Sequence, residues 1–289
     1  MIQAAALMEY NGRSASLATK HGKDVACGRP LRRAVGVELV VPVALDTDEL
    51  GTFSGEIPRV GTPESVCLQK ARLGMAVTGL RLGLASEGSF GPHPFVPFLP
   101  ADQEVMTFVD DDRGLVIVES ILAVETNFGQ HEAREVGELT DWLDAVGFPR
   151  HAVIVRPKSA APGAGIDKGV TSLEVLTSAI ARATAASDDG VARIETDMRA
   201  HLNPTRMAVI RRLAFRLARR LATPCPRCAS PGYGRTGEVT GLPCEWCGSA
   251  TEMIHLEAWS CAACSYGEER PRRDGLRLAP PGHCPQCNP

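Results

Sequence analysis

The stretch CPRCASPGYGRTGEVTGLPCEWC (residues 225–247) holds two of the four Cys-X-X-Cys knuckles that decide the fold of the C-terminal part of the chain. Two cysteines separated by two residues can present both thiolates to one tetrahedral ion, and two knuckles complete a four-cysteine zinc site. Four knuckles therefore predict two structural zinc ions. The predicted ligands are Cys225, Cys228, Cys244, Cys247, Cys261, Cys264, Cys284 and Cys287.

The alternative interpretation of these cysteines is a disulfide framework. It suits small secreted domains, whereas the start MIQAAALMEYNGR lacks the basic and apolar regions of a signal peptide. Of the ten cysteines, only Cys27 and Cys67 lie outside the knuckles. A Gly- and Pro-rich segment of about 65 residues needs the metal for its folding free energy. The sequence thus predicts a body (residues 1–221) and a double zinc-ribbon C-terminal module (residues 222–289).

The sequence leaves open which knuckles pair with each other. Loop lengths favour sequential pairing, in which the first knuckle joins the second and the third joins the fourth. The run from Cys244 through MIHLEAW to Cys264 resembles a zinc-ribbon hairpin, which favours nested pairing of the second knuckle with the third. His255 and His283 lie nearby, but eight thiolates already fill two tetrahedral sites.

The charge of the C-terminal module bears on its partners. From residue 223 to the end it holds six arginines, no lysine and seven acidic residues. Nucleic-acid-binding modules normally carry a basic footprint. The composition therefore favours a structural or protein-binding module and disfavours nucleic acid as its partner.

The composition of the whole chain is that of a globular protein. Its 289 residues are 44% hydrophobic and 22% charged, and the formal net charge is -3. No apolar run approaches the roughly 20 residues that a membrane-spanning helix needs. These values predict a soluble, cytoplasmic protein without a membrane partner.

Hydrophobic periodicity alternates between strands and helices in the body, which predicts an α/β fold with a mixed sheet flanked by helices. Asn203 and Pro204 mark the start of the last helix, whose arginines lie off its apolar stripe. Such a charged face is either solvated or docks an acidic or phosphate-bearing partner. The predicted strands are residues 14–18, 37–43, 79–85, 104–109, 115–125, 151–156 and 191–195; the predicted helices are 24–34, 63–77, 137–146, 172–186 and 204–221.

Polar side chains collect directly after the predicted strands, where ligands of open α/β sheets bind. Four acids are candidate ligands for a hard cation such as Mg²⁺ or Mn²⁺: Asp46, Asp48, Glu195 and Asp197. Five cations are candidate contacts for a phosphorylated or nucleotide-like substrate: Lys20, Lys23, Lys168, Arg199 and Arg206. Three groups are candidate catalytic residues: Glu87, His93 and His21.

The segment ASEGSFGPHP (residues 85–94) is predicted to be a loop after the third strand. Gly88 and Gly91 permit close backbone approach, while Pro92 and Pro94 stiffen the chain around His93. We expect this loop to bring Glu87 and His93 to the substrate.

Several strings resemble a bacterial family of domains of unknown function, of the DUF6671 type. They are LATKHGK (17–23), DTDELGTFSGEI (46–57), ASEGSFGPHP (85–94), ETNF (125–128), ETDMRAHLNPTRM (195–207) and the four knuckles. The likeness runs from about residue 13 to the end. It implies an α/β body with a cysteine-rich tail, and it brings no activity.

A second resemblance bears on mechanism. LATKHGKD and QKARLGMAVTGLRLGLASEGSFG (69–91) are similar to house-cleaning nucleoside triphosphate pyrophosphatases of the inosine-triphosphatase type. The likeness implies that Lys23 touches phosphate and that Glu87 lies beside the metal. The chain departs from that pattern at two places: Ser86 and Glu87 replace paired acids, and Ser65 replaces a helix acid, with Glu64 one position away.

Together these patterns favour a zinc-containing enzyme that acts on a phosphorylated or nucleotide-like substrate by metal-assisted hydrolysis. The first alternative is a non-catalytic adaptor whose zinc ribbons bind a protein or nucleic-acid partner. The second alternative is a sensor that binds a small ligand without chemistry.

Overall fold

The structure is a computed structural model that describes residues 9–43, 45, 61–160 and 165–289. The strands are β1 (Ser14–Ala18), β2 (Glu38–Val40), β3 (Leu82–Pro92), β4 (Pro100–Asp110), β5 (Leu115–Ala123), β6 (Gln130–Ala133), β7 (Val153–Pro157), β8 (Asp167–Val170), β9 (Ala192–Thr196), β10 (Gly234–Thr240), β11 (Ile254–Ser260) and β12 (Gly267–Pro271). The helices are α1 (Asp24–Val35), α2 (Pro63–Thr78), α3 (Thr140–Val146), α4 (Leu173–Ala186) and α5 (Pro204–Leu221).

The first sheet is mixed, with the order β2-β1-β3-β4-β5. Strand β1 pairs in parallel with β2 and β3, and β3, β4 and β5 pair antiparallel. Because side chains alternate along a strand, Leu84 faces α1 and α5 while Ala85 faces α2. This sheet between helices confirms the predicted α/β class.

A second sheet follows along the chain, with the order β6-β9-β7-β8 and only antiparallel pairs. Helices α3 and α4 cover its apolar face, where Val155, Ile180 and Ile194 are buried together. The sequence predicted one mixed sheet in the body. The short strands β6 and β8 were not predicted, because four residues give too little alternation to separate a strand from a loop.

The third sheet, β10-β11-β12, is the sheet of the C-terminal module. It contacts the first sheet at Gly232, which has a φ of 93°. A Cβ atom at Gly232 would lie 2.4 Å from Cδ1 of Ile117. Only glycine fits this contact, so the residue at position 232 determines how closely the C-terminal module can approach β5.

The segment ASEGSFGP is not the predicted loop. Strand β3 runs on to Pro92, in register with β4 from Leu82 opposite Asp110 to Pro92 opposite Pro100. The turn follows at residues 93–99. The prediction of a loop was wrong because two glycines that permit a turn also permit close packing inside a strand.

Helix boundaries were predicted more accurately. Helix α5 begins at Pro204, and the side chain of Asn203 accepts a hydrogen bond from the Arg206 amide, as the sequence indicated. Ser172 caps α4 in the same way. Across the described part of the chain, no helix has the length and apolar character that a membrane crossing requires.

Candidate functional site

The eight knuckle cysteines gather into two clusters, and their pairing is interleaved. The first cluster contains Cys225, Cys228, Cys261 and Cys264; the second contains Cys244, Cys247, Cys284 and Cys287. The first knuckle therefore joins the third, and the second joins the fourth. Both pairings considered from the sequence, sequential and nested, are wrong.

The antiparallel sheet explains the interleaving. Gly234 at the start of β10 lies opposite Ser260 at the end of β11, so the first and third knuckles meet at this end of the sheet. Thr240 at the end of β10 lies opposite Ile254 at the start of β11, which places the second knuckle at the other end. Strand β12 returns the chain to that end, where Cys244 forms a parallel bridge with Ala279.

The distances within each cluster fit a tetrahedral metal ion. Metal–sulfur bonds of about 2.3 Å place the sulfurs of such a site about 3.8 Å apart. The Sγ atoms of Cys225 and Cys264 are 3.9 Å apart, and those of Cys247 and Cys284 are 3.6 Å apart. None of the ten cysteines forms a disulfide. The two clusters could therefore each hold one metal ion.

Six buried ionisable side chains lie where β3 and β4 meet α2 and α5; we call them the buried ionic cluster. They are Lys23, Lys70, Glu87, Asp102, Glu104 and Arg206. Nζ of Lys23 donates to the Ser86 carbonyl at 2.8 Å. Burial lowers the pKa of Lys23, and the positive charge of Arg206 acts in the same direction. So many desolvated charges close together mark a candidate functional region.

Arg206 and Glu104 form the central pair of this cluster. Both side chains are fully buried, and Nε of Arg206 lies 2.6 Å from Oε1 of Glu104. The guanidinium also donates to the Met198 carbonyl and stacks 5.1 Å from the ring centroid of Phe90. A Cβ atom on Gly88 would lie 2.5 Å from Nη2 of Arg206. Gly88 thus makes room for the pair within β3.

Glu87 points to the opposite face of the first sheet. Its Oε2 accepts a hydrogen bond from Nζ of Lys70 at 2.7 Å, and both side chains are almost completely buried. The sequence singled out Glu87 and missed Lys70, Asp102 and Glu104. A signal existed for the last two, because they alternate on the face of β4 that also carries Met106 and Phe108.

Asp102 is a member of the cluster whose acidity is strongly perturbed. In the part of the chain that the structure describes, neither carboxylate oxygen has a hydrogen-bond partner. Burial raises the pKa of Asp102 to about 7, and the charge of Glu104 acts in the same direction. The protonated form is thus favoured in the folded protein up to neutral pH.

The pKa of Asp102 predicts a pH-dependent stability. An unfolded Asp has a pKa near 3.9, so the folded state alone keeps this proton between about pH 4 and 7, and stability falls as pH rises through that window. Asp102→Asn should remove this pH dependence. In urea unfolding, the free energy of unfolding of the variant minus that of the wild type should rise by about 2–3 kcal/mol from about pH 5 to pH 8. The exposed control Asp141→Asn should show no such change; an equal, pH-independent offset for Asp102→Asn would contradict the assignment.

An exposed basic face lies beside this cluster, built from three segments of the chain. The His21 ring stacks on His201 with 5.1 Å between the centroids. Nη2 of Arg199 would be 3.2 Å from a Cβ on Gly169, which follows Lys168. Lys20 and Lys168 are exposed. We call Lys20, His21, Lys168, Arg199 and His201 the basic face. Burial lowers the pKa of His201, and the charge of Arg199 lowers it further.

The acids predicted to hold a hard cation have other partners in the structure. Nη2 of Arg199 lies 2.6 Å from the fully buried carboxylate of Asp197, which also accepts the Gly169 amide. Glu195 pairs with Arg156 at 2.6 Å. Asp46 and Asp48 lie outside the described residues. Within those residues, only the two cysteine clusters bring three or more metal-binding side chains together.

His93 lies in the turn between β3 and β4. Its amide donates to the Leu99 carbonyl at 2.7 Å, and its Nδ1 accepts from the Phe95 amide at 3.2 Å. Six residues of nearly continuous strand separate it from Glu87, which corresponds to about 20 Å. The two predicted catalytic groups therefore do not meet. Of the sequence candidates, Lys23, Glu87 and Arg206 share the buried cluster, and Lys20, His21, Lys168 and Arg199 share the basic face.

The comparisons with known proteins give one family match. A family model described as a domain of unknown function (DUF6671) matches residues 70–289. The matched range includes β3 to β12 and all four knuckles, but it begins later than the sequence strings suggested and leaves out Lys20 and Lys23. No curated protein and no solved structure matches the chain.

Proposed function

The chain belongs to the DUF6671 family, and we propose that this member is a zinc protein whose body binds a phosphorylated or nucleotide-like small molecule on the basic face. The observation that carries this proposal is the meeting of three segments: the His21 ring stacks on His201, Arg199 lies against Gly169, and the exposed Lys20 and Lys168 are the chain neighbours of His21 and Gly169. We place the division between the ligand-binding body and the zinc module after residue 221, where α5 ends.

Zinc is the metal that best fits the two cysteine clusters. Four thiolates at tetrahedral distances are the ligand set of structural zinc, and they leave no open position for catalysis. In the cell, Fe–S chemistry uses the same ligand type, so metal analysis is the direct test. We expect about two zinc ions per chain, because each ion takes four thiolates.

The electrostatics of the basic face support an anionic ligand. Burial lowers the pKa of His201, and the charge of Arg199 acts in the same direction while that of Asp197 opposes it. Lys20 and Lys168 are exposed chain neighbours of His21 and Gly169, and they supply further positive charge to this surface. Arg206 and Lys23 belong to the buried ionic cluster, where Glu104 and Glu87 offset their charge, so the positive charge of the basic face comes from its own side chains. A phosphate group would be held here by charge-assisted hydrogen bonds.

Metal-assisted hydrolysis of the ligand is less well supported than binding. Glu195 and Asp197 would have to release Arg156 and Arg199 before they could hold Mg²⁺ or Mn²⁺. His93 lies in the turn beyond β3. Binding without chemistry therefore accounts better for the arrangement of these side chains. A comparison of nucleotide binding with and without Mg²⁺, with the products analysed, separates the two functions.

Loss of one ammonium group from the basic face should weaken binding. We expect Lys20→Gln and Lys168→Gln each to raise the Kd of a nucleoside triphosphate by about five- to tenfold, since each removes one charge-assisted contact. Isothermal titration calorimetry of the full chain with ATP, GTP and inorganic pyrophosphate measures this change. Lys158→Gln is the matched control, because Lys158 pairs with Glu132 on the second sheet.

The control should bind like the wild type. If wild-type protein fails to bind any of the three probes, the proposed ligand class is wrong. If Lys158→Gln weakens binding as much as Lys20→Gln does, the binding surface lies elsewhere. Hydrolysis of a probe only in the presence of Mg²⁺ would restore the enzyme interpretation, with Asp46 and Asp48 as the next residues to substitute.

A further inference from the structure

A second basic surface lies between α5 and the sheet of the C-terminal module. It is a cleft of about 470 Å³ that we call the arginine cleft. Its arginines are Arg216, Arg219, Arg220, Arg235, Arg270 and Arg273. Three of them come from the last helix of the body and three from the module. No stretch of the sequence shows this concentration, because Arg235 lies 15 positions after Arg220 and Arg270 lies 35 positions after Arg235.

Two buried glutamates hold four of these arginines in place. Glu119 lies 3.0 Å from Arg220 and 3.6 Å from Arg216. On the other wall, Glu257 lies 3.7 Å from Arg235 and 3.5 Å from Arg273. Each carboxylate is thus shared by two guanidinium groups. Glu238 and Glu268 pair in addition with Arg235 and Arg270, so the six arginines of the cleft meet four carboxylates and a surplus of two positive charges remains. That surplus is held in a fixed geometry before any ligand arrives.

Arg219 adds an unshared charge at the rim. It is exposed, and no carboxylate of the described residues lies within ion-pair distance of it. An exposed arginine at the rim adds positive charge to the cleft and can contact an anion bound there. Guanidinium groups recognise phosphate in a bidentate manner.

Trp259 supplies an aromatic surface within the same cleft. Cζ of Arg270 lies 4.2 Å from the centroid of its ring, and Cζ of Arg273 lies 4.9 Å from it. Nε1 of the ring donates a hydrogen bond to Glu257 at 3.1 Å. The Tyr233 ring lies 5.9 Å away. Layers of aromatic rings and guanidinium planes are the surfaces on which unpaired bases stack.

The cleft continues into a longer groove along β5. A neighbouring cavity of about 780 Å³ shares Glu119, Arg216, Arg220 and Arg235 with it and extends along Val118 and Ser120. Sites for small molecules enclose most of their ligand. A groove that runs along a strand and opens to solvent instead fits a chain that lies in it.

We propose that the arginine cleft binds single-stranded nucleic acid, with phosphates on Arg216 and Arg219 and a base against the stack of Trp259 and Arg270. A positively charged groove with aromatic and arginine stacking is the general form of such sites. The composition of the C-terminal module alone disfavoured this partner, but half of the arginines belong to α5, and the two glutamates that line the cleft, Glu119 and Glu257, are buried.

Arg219→Gln tests the phosphate contact without disturbing the fold. With the full chain and fluorescein-labelled oligonucleotides of about 20 nucleotides, oligo(dT) and oligo(U), fluorescence anisotropy should show a three- to tenfold rise in Kd. The slope of log K against log salt should fall by about 0.7, the value for one phosphate contact on a single strand. Arg211→Gln is the matched control, since Arg211 is exposed on the same helix but does not line the cleft.

Trp259→Leu provides a second, independent variant. It removes the aromatic face and should weaken binding about tenfold with an unchanged salt slope, because stacking involves no counterion release. The ratio of oligo(dT) to oligo(U) affinity distinguishes DNA from RNA. Intact melting curves verify that each variant is folded.

Three outcomes would overturn nucleic-acid binding at the cleft. The first is no binding of either oligonucleotide at low salt. The second is an acidic peptide, such as oligoglutamate of similar length, that binds more tightly than both oligonucleotides. The third is equal weakening by Arg219→Gln and Arg211→Gln. Binding at the cleft is independent of the body ligand, since Lys20→Gln should leave oligonucleotide affinity unchanged.

Discussion

Removal of the metal is expected to unfold the C-terminal module. Structural zinc supplies about 10–16 kcal/mol of binding free energy in small modules, more than a three-stranded sheet gains by its own packing. Treatment with EDTA or a stronger chelator should abolish the near-ultraviolet circular dichroism of Trp259 and Tyr233, which pack together on this sheet. Limited proteolysis should then cleave after residue 222, while the body persists.

A single substitution separates the two clusters. Cys244→Ser should reduce the metal content from about two ions to about one and should destabilise the end of the sheet that carries the second cluster. Cys27→Ala is the matched control, because Cys27 is buried against α5 and is not near either cluster. Retention of the dichroism after complete loss of metal would show that the ions are not structural.

The second large effect is expected at Arg206. Arg206→Met leaves the fully buried carboxylate of Glu104 without its partner, which should lower the free energy of unfolding by about 3–5 kcal/mol. The double variant Arg206→Met with Glu104→Met should recover part of this loss, because no buried charge remains uncompensated. Urea denaturation of the two variants gives both values.

Two further variants test whether the loss of stability comes from the Arg206–Glu104 pair. Gly88→Ala should destabilise the protein while leaving every charge in place, since the new methyl would displace the Arg206–Glu104 pair. Arg211→Met, an exposed arginine of the same helix, should change stability by less than about 0.5 kcal/mol. If Arg206→Met costs no more than Arg211→Met, the pair does not contribute as described.

Much of the fold could be predicted from the sequence where the local signals were strong. Helix α5 has a capping asparagine, a proline in its first turn and a continuous apolar stripe, and its bounds were predicted correctly. Strand β3 was predicted too short, because Gly88 and Gly91 are typical of turns. The positions of Glu104 and of Arg206, the latter more than 100 residues away along the chain, explain why a glycine stands at residue 88.

The candidate site was also predicted only in part, because its remaining members are recognised only by their tertiary contacts. The sequence identified Lys23, Glu87 and Arg206, but not the partners that bury them. Lys70 lies within a helix pattern in which a lysine is normally solvated, and Asp102 and Glu104 resemble ordinary polar positions of a hairpin. Whether a charged side chain is buried depends on the tertiary structure, whereas a sequence pattern shows only the hydrophobic periodicity within each element.

The knuckles were recognised individually, yet their pairing required the sheet. Once β10, β11 and β12 are taken as an antiparallel sheet, alternate knuckles must lie at the same end. The length of β11 then sets the separation of the clusters at about 20 Å. Counting loop lengths could not give this result, because it ignores the direction in which each strand runs.

The interleaved clusters have a consequence for the motions of the module. Strand β11 has hydrogen-bonded neighbours on both edges and, at each end, a cluster of four cysteines that we propose holds zinc. Its amides cannot be exposed by fraying from a terminus, so their hydrogen exchange should require the opening of the whole module. Strand β5, at the edge of the first sheet, has no such restraint along the groove. The slowest-exchanging backbone of the C-terminal module should therefore lie at its centre, midway between the two ions.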